Sequence, residues 1–124
     1  MANYGLDVVP ANVAMPATGQ TVNSSPFAVP KDAISMAIHT PTSLGGATVK
    51  LQSLDQVDSQ ATENWQDVQV FNLADGTFTA LDGILENKVT TLQITATGGG
   101  MLRFVATADQ SGAPSTIRVD FLCA

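Results

Sequence analysis

The chain is expected to be all-β: an antiparallel, jelly-roll-like β-sandwich of about eight strands with an extended N-terminal arm. Three observations predict it. Apolar and polar residues alternate with a period of two in runs such as ISMAIH, TVKLQS and STIRVDFL. Each run is closed by Gly, Asn, Asp or Pro, at spacings of roughly 8–14 residues. No segment has a helical period. The best helical candidate, Ala33 to His39, contains two β-branched isoleucines and is followed by Pro41. The stretch from Ala47 to Phe78 organises the rest, because there two alternating runs flank an acidic loop and the lone Trp65.

Residues 1–30 form a segment of their own, an extended arm or edge strand, and residues 31–124 form the sandwich domain. The arm holds Pro10, Pro16, Pro26 and Pro30 and carries little charge beyond Asp7. Proline removes a ladder donor and biases the preceding residue toward extended geometry, so a helix is excluded here. Yet the arm is apolar at Tyr4, Leu6, Val8, Val9, Val13 and Met15. Such a segment lies along its own domain or along a neighbouring subunit, and these six residues are the candidate partner interface. On the second alternative, deleting Met1 to Val22 leaves a folded domain that assembles poorly. A first short strand is expected at Gln20 to Asn23.

The remaining strands follow by parity. In Ala33 to Thr40 the residues Ile34, Met36 and Ile38 face inward, and His39 faces outward. Thr48 to Ser53 turns Val49 and Leu51 inward and Thr48, Lys50 and Gln52 outward. Trp65, at a loop-to-strand boundary, is expected to cap one end of the core, with a sugar platform and a protein interface as alternatives. Asp67 to Asn72 continues as a strand with Val68 and Val70 inward. Asp75-Gly76 is the clearest hairpin signal, a type I′ turn requiring positive φ. Thr77 to Leu81 pairs back, and Val89 to Thr97 follows. Met101 to Ala108 places Leu102, Phe104 and Ala106 on one face, but Met101 and Val105 on the other, as suits a central strand or a subunit contact. Ser115 to Leu122 closes the domain with Ile117, Val119 and Phe121 inward.

Composition excludes several functions. Charged residues are 13% of the chain, about half the usual share of roughly 25%, and the net charge is −6. Nucleic-acid binding needs a basic patch, whereas the five cations here are scattered, so neither nucleic acid nor an anionic membrane is an expected partner. The opening MANYGLDVVPANVAMP has no basic n-region and no long apolar h-region, so no secretion signal is expected. No run approaches the roughly 18 apolar residues of a membrane span. Cys123 is the single cysteine and is read as a small buried apolar residue.

The sequence carries no recognisable catalytic or metal-binding motif. His39 is the only histidine and has no nucleophile motif beside it, so no triad is expected. Asp55, Asp58 and Glu63 lack the central glycine and the spacing of a calcium loop. Gly98-Gly99-Gly100 is followed by a strand rather than by a Lys-Ser/Thr and a helix, so it is a turn and not a phosphate loop. No catalytic residue, metal or cofactor is expected, and the chain is read as non-enzymatic.

The segments VKLQSLDQ, NWQDVQVFNLADGTF and GGGMLRFVATADQSGAPSTIRVDF carry a likeness. The run from Val49 through Asp120 resembles small virion structural proteins of tailed bacteriophages. That resemblance implies a capsid cement or decoration protein stabilising the head shell, or a neck or tail attachment protein. It implies the major capsid protein or other virion proteins as partners, a virion location after synthesis in the host cytoplasm, and a homo-oligomer, with a trimer suited to local threefold positions of an icosahedral shell. A carbohydrate-binding sandwich is the alternative. It would need exposed aromatic residues, and most of the five phenylalanines fall on core parity.

Overall fold

The computed structural model describes residues 7–15, 23–42, 44, 48–55, 64–72, 74–81, 84–93, 100–106 and 115–124. They form ten strands and, among the described residues, no helix: β1 (Asp7–Met15), β2 (Phe27–Ala28), β3 (Ala33–His39), β4 (Val49–Asp55), β5 (Asn64–Asp67), β6 (Gln69–Asn72), β7 (Thr77–Ala80), β8 (Val89–Gln93), β9 (Met101–Ala106) and β10 (Ser115–Cys123). Two four-stranded antiparallel sheets result. Sheet A has the order β1-β10-β3-β8, sheet B has β2-β9-β4-β5, and β6 and β7 make a separate hairpin.

Alternation builds the core between the sheets. In β10, Ile117, Val119, Phe121 and Cys123 are buried, and the residues between them are exposed or half-buried. Met36 and Ile38 lie opposite Phe121 and Val119. From sheet B come Val49 and Leu51 of β4, with Leu102, Phe104 and Ala106 of β9. Phe27 of β2 stacks on Phe104 with centroids 5.4 Å apart and tilts against Phe121 of sheet A at 6.3 Å, so one aromatic trio spans both layers. Ile34 departs from the inward expectation and is 48% exposed. It lies where the β3–β10 register shifts between Leu122 and Cys123.

The N-terminal segment divides. β1 is the edge strand of sheet A and pairs with β10 along its whole length, from Asp7↔Cys123 to Met15↔Ser115. Its C-terminal half enters the chain's own core: Val13 is 2% exposed and Met15 fully buried. These two residues, expected on a partner-facing surface, are instead covered by their own domain, because the β10 register turns them onto the inner face. Proline is tolerated at Pro10 because β1 is an edge strand. The strand expected at Gln20 to Asn23 lies mostly outside the described residues, and Asn23 makes an isolated bridge to Val105.

Asn23 and Ser24 continue the pairing along the β2 flank of β9. Val105 is 7% exposed, and Asn23 bridges it in antiparallel sense. The Ser24 N–H donates to the Phe104 carbonyl at 2.8 Å, and the Phe104 N–H donates to Ser24 Oγ at 2.9 Å. β9 is thus a central strand, flanked by β2 and β4.

The run Asp67 to Asn72 is not one strand. It breaks at Val68, whose N–H donates to the Leu51 carbonyl at 2.9 Å and whose carbonyl accepts from Leu81 N–H at 2.7 Å. Beyond it β6 and β7 leave sheet B as a hairpin, after which Ile84 pairs with Val49 through bonds of 3.0 and 3.2 Å. The Asp75-Gly76 turn lies at the tip, with Gly76 at φ +70°. The pairing Asn72↔Thr77 makes the loop four residues long rather than a two-residue type I′ turn. Asp75 Oδ1 accepts from the Thr77 N–H at 3.2 Å and from its hydroxyl at 2.6 Å, an Asx-type closure.

A second tie holds the approach to β8. Buried Thr40 accepts the Lys88 N–H on its Oγ1 at 2.9 Å, and its hydroxyl meets the Leu85 carbonyl at 2.7 Å. Asn87, in the left-handed region at φ 56°, donates its N–H to the Pro41 carbonyl at 2.6 Å.

Two stability measurements follow. Met15→Ala is expected to cost about 2–5 kcal/mol in urea unfolding, and Val8→Ala less than about 0.5 kcal/mol. Equal effects would show that β1 is not divided between core and surface. Ser24→Ala strands the Phe104 N–H inside and is expected to cost about 1–3 kcal/mol.

Candidate functional site

The outer face of sheet B carries the most connected polar chain in the described structure. Alternation turns Lys50 and Gln52 of β4 outward, and the β4–β9 register sets Arg103 directly opposite Gln52. On the other flank Asp67 lies opposite Gln52, and Trp65 opposite Leu54. Arg103 Nε donates to Gln52 Oε1 at 2.9 Å, and Gln52 Nε2 donates to Asp67 Oδ1 at 2.9 Å. Lys50 Nζ reaches the same carboxylate at 3.2 Å. The Arg103 guanidinium lies 4.4 Å from the Trp65 ring centroid, a cation–π distance. Trp65 is therefore a half-buried residue of an outer face, not a cap on the core. Its pairing register decides this, since Leu54 and Trp65 share the side opposite to Leu51.

These bonds hold Asp67 ionised. The Gln52 hydrogen bond, then the Lys50 hydrogen bond and charge, lower its carboxyl below the usual range, against a smaller opposing effect of desolvation. At the end of sheet B lies an open cleft of about 450 Å³ whose lining includes Ser53, Gln66, Gln69 and Phe78; Ser53 and Gln66, paired with each other, belong to the face opposite the Gln52–Asp67 pair. Phe78 is 63% exposed, unlike the core residues Phe27, Phe104 and Phe121.

The outer face of sheet A has a smaller cluster. Arg118 grips Asp120 with two bonds, Nε to Oδ1 at 3.0 Å and an Nη to Oδ2 at 2.9 Å. His39 Nε2 lies 3.2 Å from Asp120 Oδ2. The β10–β3 register places His39 opposite Arg118. Hydrogen bonding to Arg118 is the main cause that lowers the Asp120 carboxyl, and the Arg118 and His39 charges add to it against desolvation. Around this cluster the outward residues include the short Ser35 and Ala37 on β3, Thr91 on β8 and Thr116 on β10, and the exposed Val89 directly opposite His39.

Of the six candidate interface residues, Val8 and Val9 are exposed at 62% and 40%, and Val13 and Met15 are core. Tyr4 and Leu6 lie outside the described residues, as do residues 56–63 of the acidic loop and Gly98-Gly99. Among the described residues no group of three or more His, Cys, Asp or Glu side chains gathers to hold a metal ion. Nor, among the described residues, is any helix long and apolar enough to cross a membrane.

Sequence reasoning turned Lys50 and Gln52 outward but did not join them to Arg103, Asp67 and Trp65. Parity was the available signal for each strand separately. Which strands lie side by side was not in it.

No family model matches the chain, and no curated protein matches it. The fold is similar to a solved structure, that of the SPBc2 prophage-derived protein YomS, with a TM-score of 0.57, 12% sequence identity, and coverage of 92% of this chain and 95% of that one.

The lowered Asp120 carboxyl predicts a pH dependence of definite sign. A carboxyl depressed in the folded state contributes stability above its unfolded value of about 3.9, and loses it as pH falls through the lower folded value. Asp120→Asn is therefore expected to melt below the parent protein at pH 7 and to converge with it as pH drops below about 4. A gap that persists in acid would show that the Arg118–Asp120–His39 cluster does not act through its charge.

Proposed function

We propose that this chain is a non-enzymatic structural protein of a tailed-phage virion, of the capsid cement or decoration kind. The observation that carries the proposal is the fold likeness to a prophage-derived protein over nearly the full length of both chains. It agrees with the resemblance of Val49 to Asp120 to small virion proteins. The exchange of strands between sheets, β1, β3, β8 and β10 in one and β2, β4, β5 and β9 in the other, supports reading the sandwich as a jelly roll.

The physics of the surface favours this use. A cement protein binds a preformed shell through many copies of a small contact, and avidity multiplies each weak contact. On the outer face of sheet A, Ser35, Ala37, Thr91 and the exposed Val89 offer small or apolar area to a partner, and Asp120 already has its charge paired by Arg118. Val8 and Val9, exposed at the open end of β1, are apolar positions for the major capsid protein or another subunit. A homotrimer at local threefold positions suits such a shell. A neck or tail position is the same reading at another place in the particle.

Peptide mass spectrometry of purified virions from the encoding phage is expected to find this chain as a structural component, with immunogold labelling on the head. Label at the neck or tail would move it there. Its absence from purified virions would overturn the proposal. Light scattering in solution is expected to give three times the 12.9 kDa chain mass, and a monomer would remove the trimer.

A further inference from the structure

We propose that the open edge of β8 receives an extended segment of another polypeptide as a fifth strand of sheet A. The added strand runs antiparallel to β8, is uncharged and rich in β-branched residues, and ends in a carboxylate. β8 and β1 are the two edges of that sheet. The inference goes beyond the virion reading and does not rest on it.

The ladder fixes which backbone groups face outward. The Thr40 N–H donates to the Lys88 carbonyl at 3.0 Å, so Thr40 and Lys88, one step beyond the His39↔Val89 pair, form a hydrogen-bonded pair. Such pairs alternate along an antiparallel ladder. Ile38 with Thr90 and Met36 with Leu92 are therefore the bonded pairs of β3 and β8, and the N–H and carbonyl groups of Val89, Thr91 and Gln93 point away from β3. Among the described residues no strand or loop bonds to these outward groups. The same alternation, carried across β3 and β10, puts the nitrogen of Pro10 on the open side of β1, where its missing N–H leaves the ladder whole.

Exposed edges are usually blunted by charge, proline or a bulge. β1 has Pro10, which interrupts its outward row of donors. β8 reads VTTLQ, without charge or proline, and its register to β3 runs without a shift. An unblunted edge is a template for strand addition, in which main-chain bonds supply affinity and alternate side chains supply selection. The surrounding side chains set the partner's chemistry. Leu92, half-buried against the core, continues the inner face, so the added strand turns apolar residues to that side. Val89, Thr91 and Gln93 are exposed and uncharged on the outer side. Lys88, exposed at the start of β8, has no carboxylate on its ammonium among the described residues. In an antiparallel pairing Lys88 lies opposite the residue that follows the run, and charge complementarity selects Asp or Glu there.

The test titrates the full chain with the peptide acetyl-TVTVTE-amide, followed by nitrogen–proton NMR. The backbone amide signals of Val89, Thr91 and Gln93 are expected to shift and to gain protection from hydrogen exchange, while those of Thr90 and Leu92 are protected with or without peptide. Acetyl-TVPVTE-amide, which lacks the central donor, is expected to bind about tenfold or more weakly. Thr91→Pro is expected to keep the fold, because that N–H lies outside the β3 ladder, and to lose binding, whereas Thr91→Val keeps both. Lys88→Glu is expected to favour acetyl-TVTVTK-amide over acetyl-TVTVTE-amide by about threefold or more, the reverse of the parent protein. No shift with acetyl-TVTVTE-amide, or equal affinity for the proline peptide, would overturn the proposal. So would a fall of oligomeric mass in Thr91→Pro without peptide binding to the parent, which would assign the edge to a contact between copies.

Discussion

The pairing of β4 with β9, from Val49↔Ala106 to Ser53↔Leu102, is the constraint on which the rest of sheet B depends. A strand has two faces and a period of two, so one register decides the fate of every side chain on both strands. This register turns Leu51 and Phe104 together into the core and Gln52 and Arg103 together out of it. A slip of β9 by one residue against a fixed β4 would place the Arg103 guanidinium between the sheets and Phe104 in water. The buried aromatic trio and the surface chain from Trp65 to Lys50 are thus two sides of the same hydrogen-bonded ladder.

The two layers are joined at points where polar groups are satisfied inside. Ser24 exchanges bonds with Phe104 and covers one flank of β9, and Phe27 then meets both Phe104 and Phe121. Thr40 does similar work for the backbone before β8. Val68 is the third point. Both its backbone groups are bound to residues of sheet B and its border, and the hairpin after it projects from a fixed root.

The outer faces differ in kind. Sheet A presents Ser35, Ala37, Thr91 and the exposed Val89 around a charge cluster that is internally compensated. Sheet B presents longer side chains linked to one another from Trp65 to Lys50.

The sequence by itself determined the β class, the inward residues of β4, β9 and β10, Met36 and Ile38 of β3, and the turn at Asp75-Gly76, because alternation and turn chemistry are local properties of a chain; Ile34, at a register shift, escaped it. It also made Val105 anomalous on the outer side of β9, which marked a central strand. Only the tertiary structure decided that Val13 and Met15 are core, since β1 alternates no more clearly than an exposed arm and its inner face is assigned by the β10 register. The same holds for Trp65, turned out by its pairing with Leu54, and for the union of Arg103 with Gln52 across 51 positions of sequence. Parity tells a side chain which of two faces it shares with its own strand. It does not tell the strand which neighbour it has, and every contact at the candidate site lies between strands.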